Sequence, residues 1–124
     1  MTSRSAPTVF VIDDDAELRA SIQGLLKAAG LRSEPFATAE EFLHKKCDGP
    51  GCLVLDVSLP GVSGLDLQRS LADAGVRIPI IFITSHEDED IRPCLREQGA
   101  VDCLFKPFSD TALLEALNVA LRLK

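Results

Sequence analysis

Three acidic residues, Asp13, Asp14 and Asp15, stand directly after the β-branched and aromatic run Thr8–Ile12, and a further one, Asp56, ends the apolar run 52–55. A hydroxyl, Thr84, and a cation, Lys106, follow two further segments that read as strands, 78–83 and 100–104. Carboxylates gathered at one place repel one another, and the usual remedy is a hard divalent cation that takes oxygen ligands and keeps several waters, a description that Mg²⁺ fits. Once that charge is neutralised, a carboxylate can attack phosphorus and become an acyl phosphate. Asp56, held at a strand end, is the expected nucleophile, with Asp13 and Asp14 holding the metal directly or through water. Lys106 supplies positive charge, pairing with Asp56 before the reaction and with a phosphoryl oxygen afterwards, an electrostatic rather than a nucleophilic role. Thr84 offers a hydroxyl donor beside the reacting oxygen. Each residue also has a plainer reading taken singly: Asp15 as a helix cap, Thr84 as a turn residue, Lys106 as a solvent-facing side chain. The grouping of Asp13, Asp14 and Asp56 is what asks for a shared cause.

These residues can meet only if the elements bring them together. Leu18, Ile22, Leu25 and Leu26 recur at helical spacing and predict a helix over 15–29, with Asp14 and Glu17 spaced as a reciprocal cap and Gly30 as its stop. Residues 31–36 read as a strand in which Pro35 removes a backbone donor, so an edge position or a strand end is expected. Thr38 and Glu41 have capping-box spacing and open a short helix ending near Lys46, with Phe42 and Leu43 turned inward. The run 52–55 lacks alternation, as a strand covered on both faces does, and is expected to be central. Pro60, Gly61 and Gly64 mark a loop over 57–64, before a helix over 65–74 that Gly75 ends. Strands over 78–83 and 100–104 and helices over 89–98 and 110–121 complete five of each, with Pro93 near the start of the 89–98 helix, where a first turn tolerates it.

Strands alternating with helices predict an α/β fold, a five-stranded parallel sheet with helices on both faces, because each right-handed crossover buries the apolar face of its helix. Ligands of such sheets bind beyond the carboxyl ends of the strands. Asp13, Asp14, Asp56, Thr84 and Lys106 all fall there.

Composition narrows the function classes. The 124 residues suit a single domain, and 46% apolar with 26% charged residues argue against disorder and against a fibrous class. Thirteen Lys and Arg against 19 Asp and Glu give a formal charge of -6, which disfavours sequence-independent attraction to nucleic acid. Cys47, Cys52, Cys94 and Cys103 lack paired zinc spacing and are expected to be free thiols. The chain shows neither a leading apolar run of signal length nor a segment long enough to cross a bilayer, so a cytoplasmic location and no membrane contact are expected.

From Val9 to about Leu121 the chain resembles the response-regulator receiver family of bacterial two-component systems. Val-Ile-Asp-Asp-Asp at 11–15, Leu-Asp-Val-Ser-Leu-Pro-Gly-Val-Ser-Gly at 55–64, Ile-Thr-Ser-His at 83–86 and Phe-Lys-Pro-Phe at 105–108 carry the resemblance, in order. It implies a CheY-like (flavodoxin-like) doubly wound fold, Asp56 as phosphoacceptor, Asp13 and Asp14 as the acidic pair with Mg²⁺, the backbone carbonyl of Ser58 as a further metal ligand, Thr84 as switch hydroxyl and Lys106 as the matching lysine. A cis bond before Pro107 and a sensor histidine kinase as phosphodonor are implied as well. Ser58 and His86 resemble positions through which receivers influence hydrolytic water; His86 also reads as an ordinary loop residue. Cys103 departs from the pattern, standing where such receivers commonly place a switch Tyr or Phe. It is expected to be a passive filler, with coupling left to backbone motion or to Phe105 and Phe108.

Gly-Ala-Val-Asp-Cys-Leu-Phe-Lys-Pro-Phe at 99–108 looks closest to the FixJ/NarL-like branch, whose members commonly carry a helix-turn-helix output domain. The expectation is therefore an excised N-terminal receiver, core about 8–122, of a transcription regulator. Phosphorylation would change its contacts, a homodimer among them, and the exposed face of 89–98, the following strand and 110–121 is expected to carry the phosphorylation-dependent partner surface. It would be a signalling domain rather than an enzyme. Alternatives are a stand-alone or degenerate receiver acting as an interaction module and a small aspartyl-phosphate phosphatase-type enzyme. A flavin-type cofactor site is disfavoured, since Asp13–Asp15 stand where a Gly-rich phosphate cradle would be.

Overall fold

The computed structural model describes residues 7–45, 51–59, 61–84 and 100–122. Strands β1 (Thr8–Ile12), β2 (Arg32–Phe36), β3 (Gly51–Asp56), β4 (Ile80–Thr84) and β5 (Asp102–Phe105) alternate with helices α1 (Ala16–Ala28), α2 (Ala39–His44), α3 (Gly64–Asp73) and α4 (Asp110–Arg122). The helix expected over 89–98, with Pro93, lies outside the described residues, as do His86, Cys47 and Cys94. All strands run parallel in the order β2-β1-β3-β4-β5, so β3 is central and the Pro35-bearing β2 is an edge, as the sequence implied.

Because side chains alternate across a strand, the near-continuous apolar runs feed two cores at once. Phe10, Leu53, Leu55 and Phe82 meet Phe42 of α2 and Leu67 and Leu71 of α3 on one face. Val9, Val11, Val54, Ile81 and Ile83 meet Ile22 and Leu26 of α1 and Leu113 and Leu117 of α4 on the other. Phe10, Phe36 and Phe42 pack with ring centroids 5.4 to 6.4 Å apart, fastening the edge strand and α2 to β1.

Several local expectations are corrected. The Asp14–Glu17 box does not form; the plainer reading of Asp15 as the cap of α1 holds, for its backbone is extended (φ -87, ψ 107) and its carboxylate accepts from the Glu17 and Leu18 amides. The helix starts one residue later than the Asp14–Glu17 box requires, which leaves Asp14 outside the cap. Leu43 is 45% exposed while Phe42 is buried, since adjacent helical residues differ by roughly 100° in direction and α2 turns only one narrow face inward. Thr38 accepts from the Glu41 amide, yet the Glu41 carboxylate takes the amide of Ala37 rather than that of Thr38. Gly64 heads α3 instead of closing the loop, and Thr84 is the last residue of β4.

Candidate functional site

At the carboxyl end of β1 the chain leaves the sheet at Asp13, whose amide still reaches the Phe36 carbonyl of β2 at 3.1 Å. Its Oδ1 accepts from the Asp15 amide at 2.8 Å, folding the acidic run into a turn that buries Asp13 completely and exposes Asp14. Asp56 ends the central strand and is nearly buried, with Oδ1 accepting from the Ser58 amide at 3.0 Å. Carboxylate oxygens of Asp13, Asp14 and Asp56 lie within 4.8 Å of one another.

Lys106 follows β5, its amide donating to the Thr84 carbonyl at 2.7 Å and its peptide to Pro107 being cis. Its Nζ comes 3.2 Å from Asp13 Oδ2 and 3.3 Å from Asp56 Oδ2. One ammonium thus serves two buried carboxylates from different strands. Thr84 is buried at the end of β4, between the strand of Asp56 and that of Lys106. Cys103, by contrast, is buried in the α2/α3-side core at the register of Phe82. His86 lies outside the described residues, and Ser58 is exposed on the loop after β3.

The electrostatics follow from this crowding. Burial pushes the Asp56 carboxyl above the usual carboxylate range; the Ser58 amide opposes that, the negative charge of Asp13 adds to it, and Lys106 opposes it. For Lys106 burial disfavours the ammonium, but attraction to Asp56 and Asp13 together outweighs it and raises its pKa above the ordinary lysine value.

The donor set fits a hard cation. Asp13 Oδ2 is buried and, although Lys106 pairs with it ionically, makes no hydrogen bond among the described residues. A buried carboxylate oxygen left so is costly without a further partner, and an all-oxygen set of three acids matches the preference of Mg²⁺. Asp13, Asp14 and Asp56 are the residues placed to hold it.

Two supports escaped the reading of the sequence. Arg19 Nη1 donates to the Asp13 carbonyl at 2.6 Å, and Glu40 Oε2 of α2 accepts from the Val62 amide at 3.3 Å in the loop after β3. Arg19 had only a faint signal, its place one helical turn beyond the Asp15 cap; Glu40, 22 residues from its partner, had none. In that loop Gly61 has φ +74, and at its end Gly64, the first residue of α3, donates to the Val57 carbonyl at 3.1 Å.

Comparison with known proteins agrees with this fold. A family model described as the response regulator receiver domain matches residues 9–118. Nodulation protein W of Bradyrhizobium diazoefficiens is 47% identical over 113 residues, 90% of this chain and 50% of that protein. The structure of response regulator StyR superposes with a TM-score of 0.89 at 43% identity, covering 95% of this chain and 60% of that one. FixJ-N superposes with a TM-score of 0.87 at 36% identity and 95% coverage of both chains. The chain spans about half the length of several curated relatives it matches, 50% of nodulation protein W and 54% of TodT and of FixJ, and 25% of the transcriptional regulatory protein DctD. The chain belongs to the response regulator receiver domain family of two-component systems.

Proposed function

We propose that this chain takes a phosphoryl group onto Asp56 from a phosphohistidine of a sensor histidine kinase, with Mg²⁺ bound by Asp13, Asp14, Asp56 and the Ser58 main-chain carbonyl. The observation that carries the reading is the convergence of three carboxylates within 4.8 Å, with Lys106 bridging two of them. When bound, the metal would supply positive charge against the phosphoryl oxygens. An Asp56 carboxylate oxygen forms the new P–O bond as the P–N bond to the donor imidazole breaks, and the leaving imidazole keeps that electron pair. The Ser58 amide holds Asp56 Oδ1 in place while Lys106 holds Oδ2. Lys106 then exchanges its partner Asp56 for a phosphoryl oxygen, while Thr84 donates its hydroxyl to the same group.

In this reading the chain is the N-terminal part of a cytoplasmic transcription regulator, its phosphorylation state changing contacts with an output domain or with a second copy. The match over about half the length of the transcriptional regulatory proteins TdiR and FixJ supports this. Among the described residues no helix is long and apolar enough to cross a membrane. The test is incubation with acetyl phosphate and Mg²⁺, followed by intact-mass and peptide mass spectrometry. One phosphoryl group on Asp56, lost in Asp56→Asn and on chelation of the metal, is expected. Stable labelling of Asp56→Asn would refute the assignment, and steady turnover of varied phosphate esters would favour a phosphatase-type enzyme.

A further inference from the structure

The peptide joining Asp13 to Asp14 lies just beyond the sheet, for β1 pairs with β2 and β3 only as far as Ile12. Asp13 still gives its amide to Phe36, but among the described residues its carbonyl accepts from no strand amide. The Arg19 guanidinium takes that carbonyl at 2.6 Å, a charge-assisted bond of the stronger kind in a half-buried setting. The Arg19 amide donates to the Asp15 carbonyl at 3.0 Å, so a single residue of α1 grips the acidic turn at both ends. Between these ends the Asp15 amide closes on Asp13 Oδ1. The Asp14 carboxylate, exposed, makes no hydrogen bond or ion pair among the described residues, so the backbone that carries it is the part of Asp14 that the turn holds.

The geometry points to Arg19 as a positioning residue of the cation site, fixing the peptide plane between Asp13 and Asp14 so that both carboxylates face Asp56. This rests on the reading of that site as a Mg²⁺ site. The sign of the effect discriminates between two roles. A guanidinium acting through charge alone would repel Mg²⁺, and its removal would tighten binding. A guanidinium acting through position loosens binding when it is lost, as outer-shell partners of metal ligands do.

The experiment is calorimetric titration of the whole chain with Mg²⁺ for the unaltered protein, Arg19→Ala, Arg19→Gln and Arg19→Lys, with thermal melts in chelator as a fold control. The Mg²⁺ dissociation constant should rise roughly tenfold in Arg19→Ala and Arg19→Gln, and by less in Arg19→Lys, whose ammonium still offers the carbonyl a donor. Phosphorylation by acetyl phosphate should need correspondingly more Mg²⁺ but reach the same rate at saturation. Unchanged or tighter Mg²⁺ binding in Arg19→Ala, or a lowered melting temperature with unchanged Mg²⁺ affinity, overturns the inference. If Arg19→Ala does not fold, the pair Arg19→Lys and Arg19→Gln decides it: equal binding by both overturns the role. Absence of Mg²⁺ binding in the unaltered chain would overturn the metal site itself, and the inference with it. Normal binding there and in Arg19→Ala overturns the role of Arg19 alone.

Discussion

Gly64 lies so close to Asp56 that a Cβ at position 64 would overlap the Asp56 carbonyl oxygen and stand 3.0 Å from Val57 Cα. The first residue of α3 is therefore packed on the backbone that carries the central carboxylate, and the Gly64 amide returns to the Val57 carbonyl. The loop between them leaves the strand and comes back within one side chain's width.

Gly64→Ala should consequently destabilise the chain by about 1–3 kcal/mol, the usual cost of forcing atoms into a filled space, and slow phosphorylation by displacing Asp56. Gly24 of α1 is the control, since a Cβ there meets nothing within 4 Å. Gly24→Ala should stabilise by about 0.5–1 kcal/mol, because alanine restricts the unfolded chain and favours helix. Urea unfolding of both variants checks the pair, and equal signs would contradict the packing argument.

The Asp56 carboxyl binds its proton more tightly folded than unfolded, because burial raises its pKa. Ionising it therefore costs stability progressively as pH rises from the unfolded carboxylate range through the higher folded pKa. Asp56→Asn, measured without Mg²⁺, should be more stable than the unaltered chain at neutral pH, and the advantage should vanish in acid below the ordinary carboxylate pKa. Melting curves across pH in chelator would show it, and Mg²⁺ should reverse the order by stabilising only the unaltered chain.

Lys106 has the opposite linkage. Its pKa is raised on folding, so the stability it contributes is complete below the ordinary lysine pKa and is lost as pH rises through the higher folded value. Lys106→Met should cost about 1–2 kcal/mol at neutral pH without metal, less than a fully buried pair because the side chain is 30% exposed. The difference should shrink only in strong alkali. The same variant should bind Mg²⁺ more tightly while accepting phosphate poorly, since a competing cation is gone; looser Mg²⁺ binding would contradict this electrostatic account.

Cys52 and Cys103 are fully buried thiols outside any disulfide, and burial pushes the Cys52 thiol up to about 12. Neither should react with alkylating reagents at neutral pH in the folded state, both becoming labelled only on unfolding, as peptide mapping would reveal. Cys103→Ala should cost about 1 kcal/mol and leave phosphorylation intact, whereas Cys103→Tyr must force a ring into the core beside Phe82 and should cost about 1–3 kcal/mol. Loss of phosphorylation-dependent dimerisation in Cys103→Ala, with Asp56 still modified, would refute the passive-filler role.

The sequence by itself determined at which end of the sheet the acids, the hydroxyl and the lysine lie. Unalternating runs before Asp13 and Asp56 specify strands buried on both faces, and the parallel arrangement they require delivers those acids, Thr84 and Lys106 to one edge of the sheet. Pro35 likewise marked β2 as an edge, because a residue without an amide donor is unsuited to a central ladder. Local capping was only half legible: Asp14 and Asp15 are chemically alike, and the choice of Asp15 rests on a backbone conformation set where the chain turns off β1. Leu43 could not be placed from its own hydrophobicity, since α2 is short and Phe42 already fills its inward face. Tertiary structure alone decided that Lys106 pairs with Asp13 as well as Asp56, that Glu40 holds Val62, and that Arg19 holds the Asp13 carbonyl. Periodicity records the direction a side chain faces along its own element, whereas these contacts depend on the distance between elements, which only the packed helices and sheet establish.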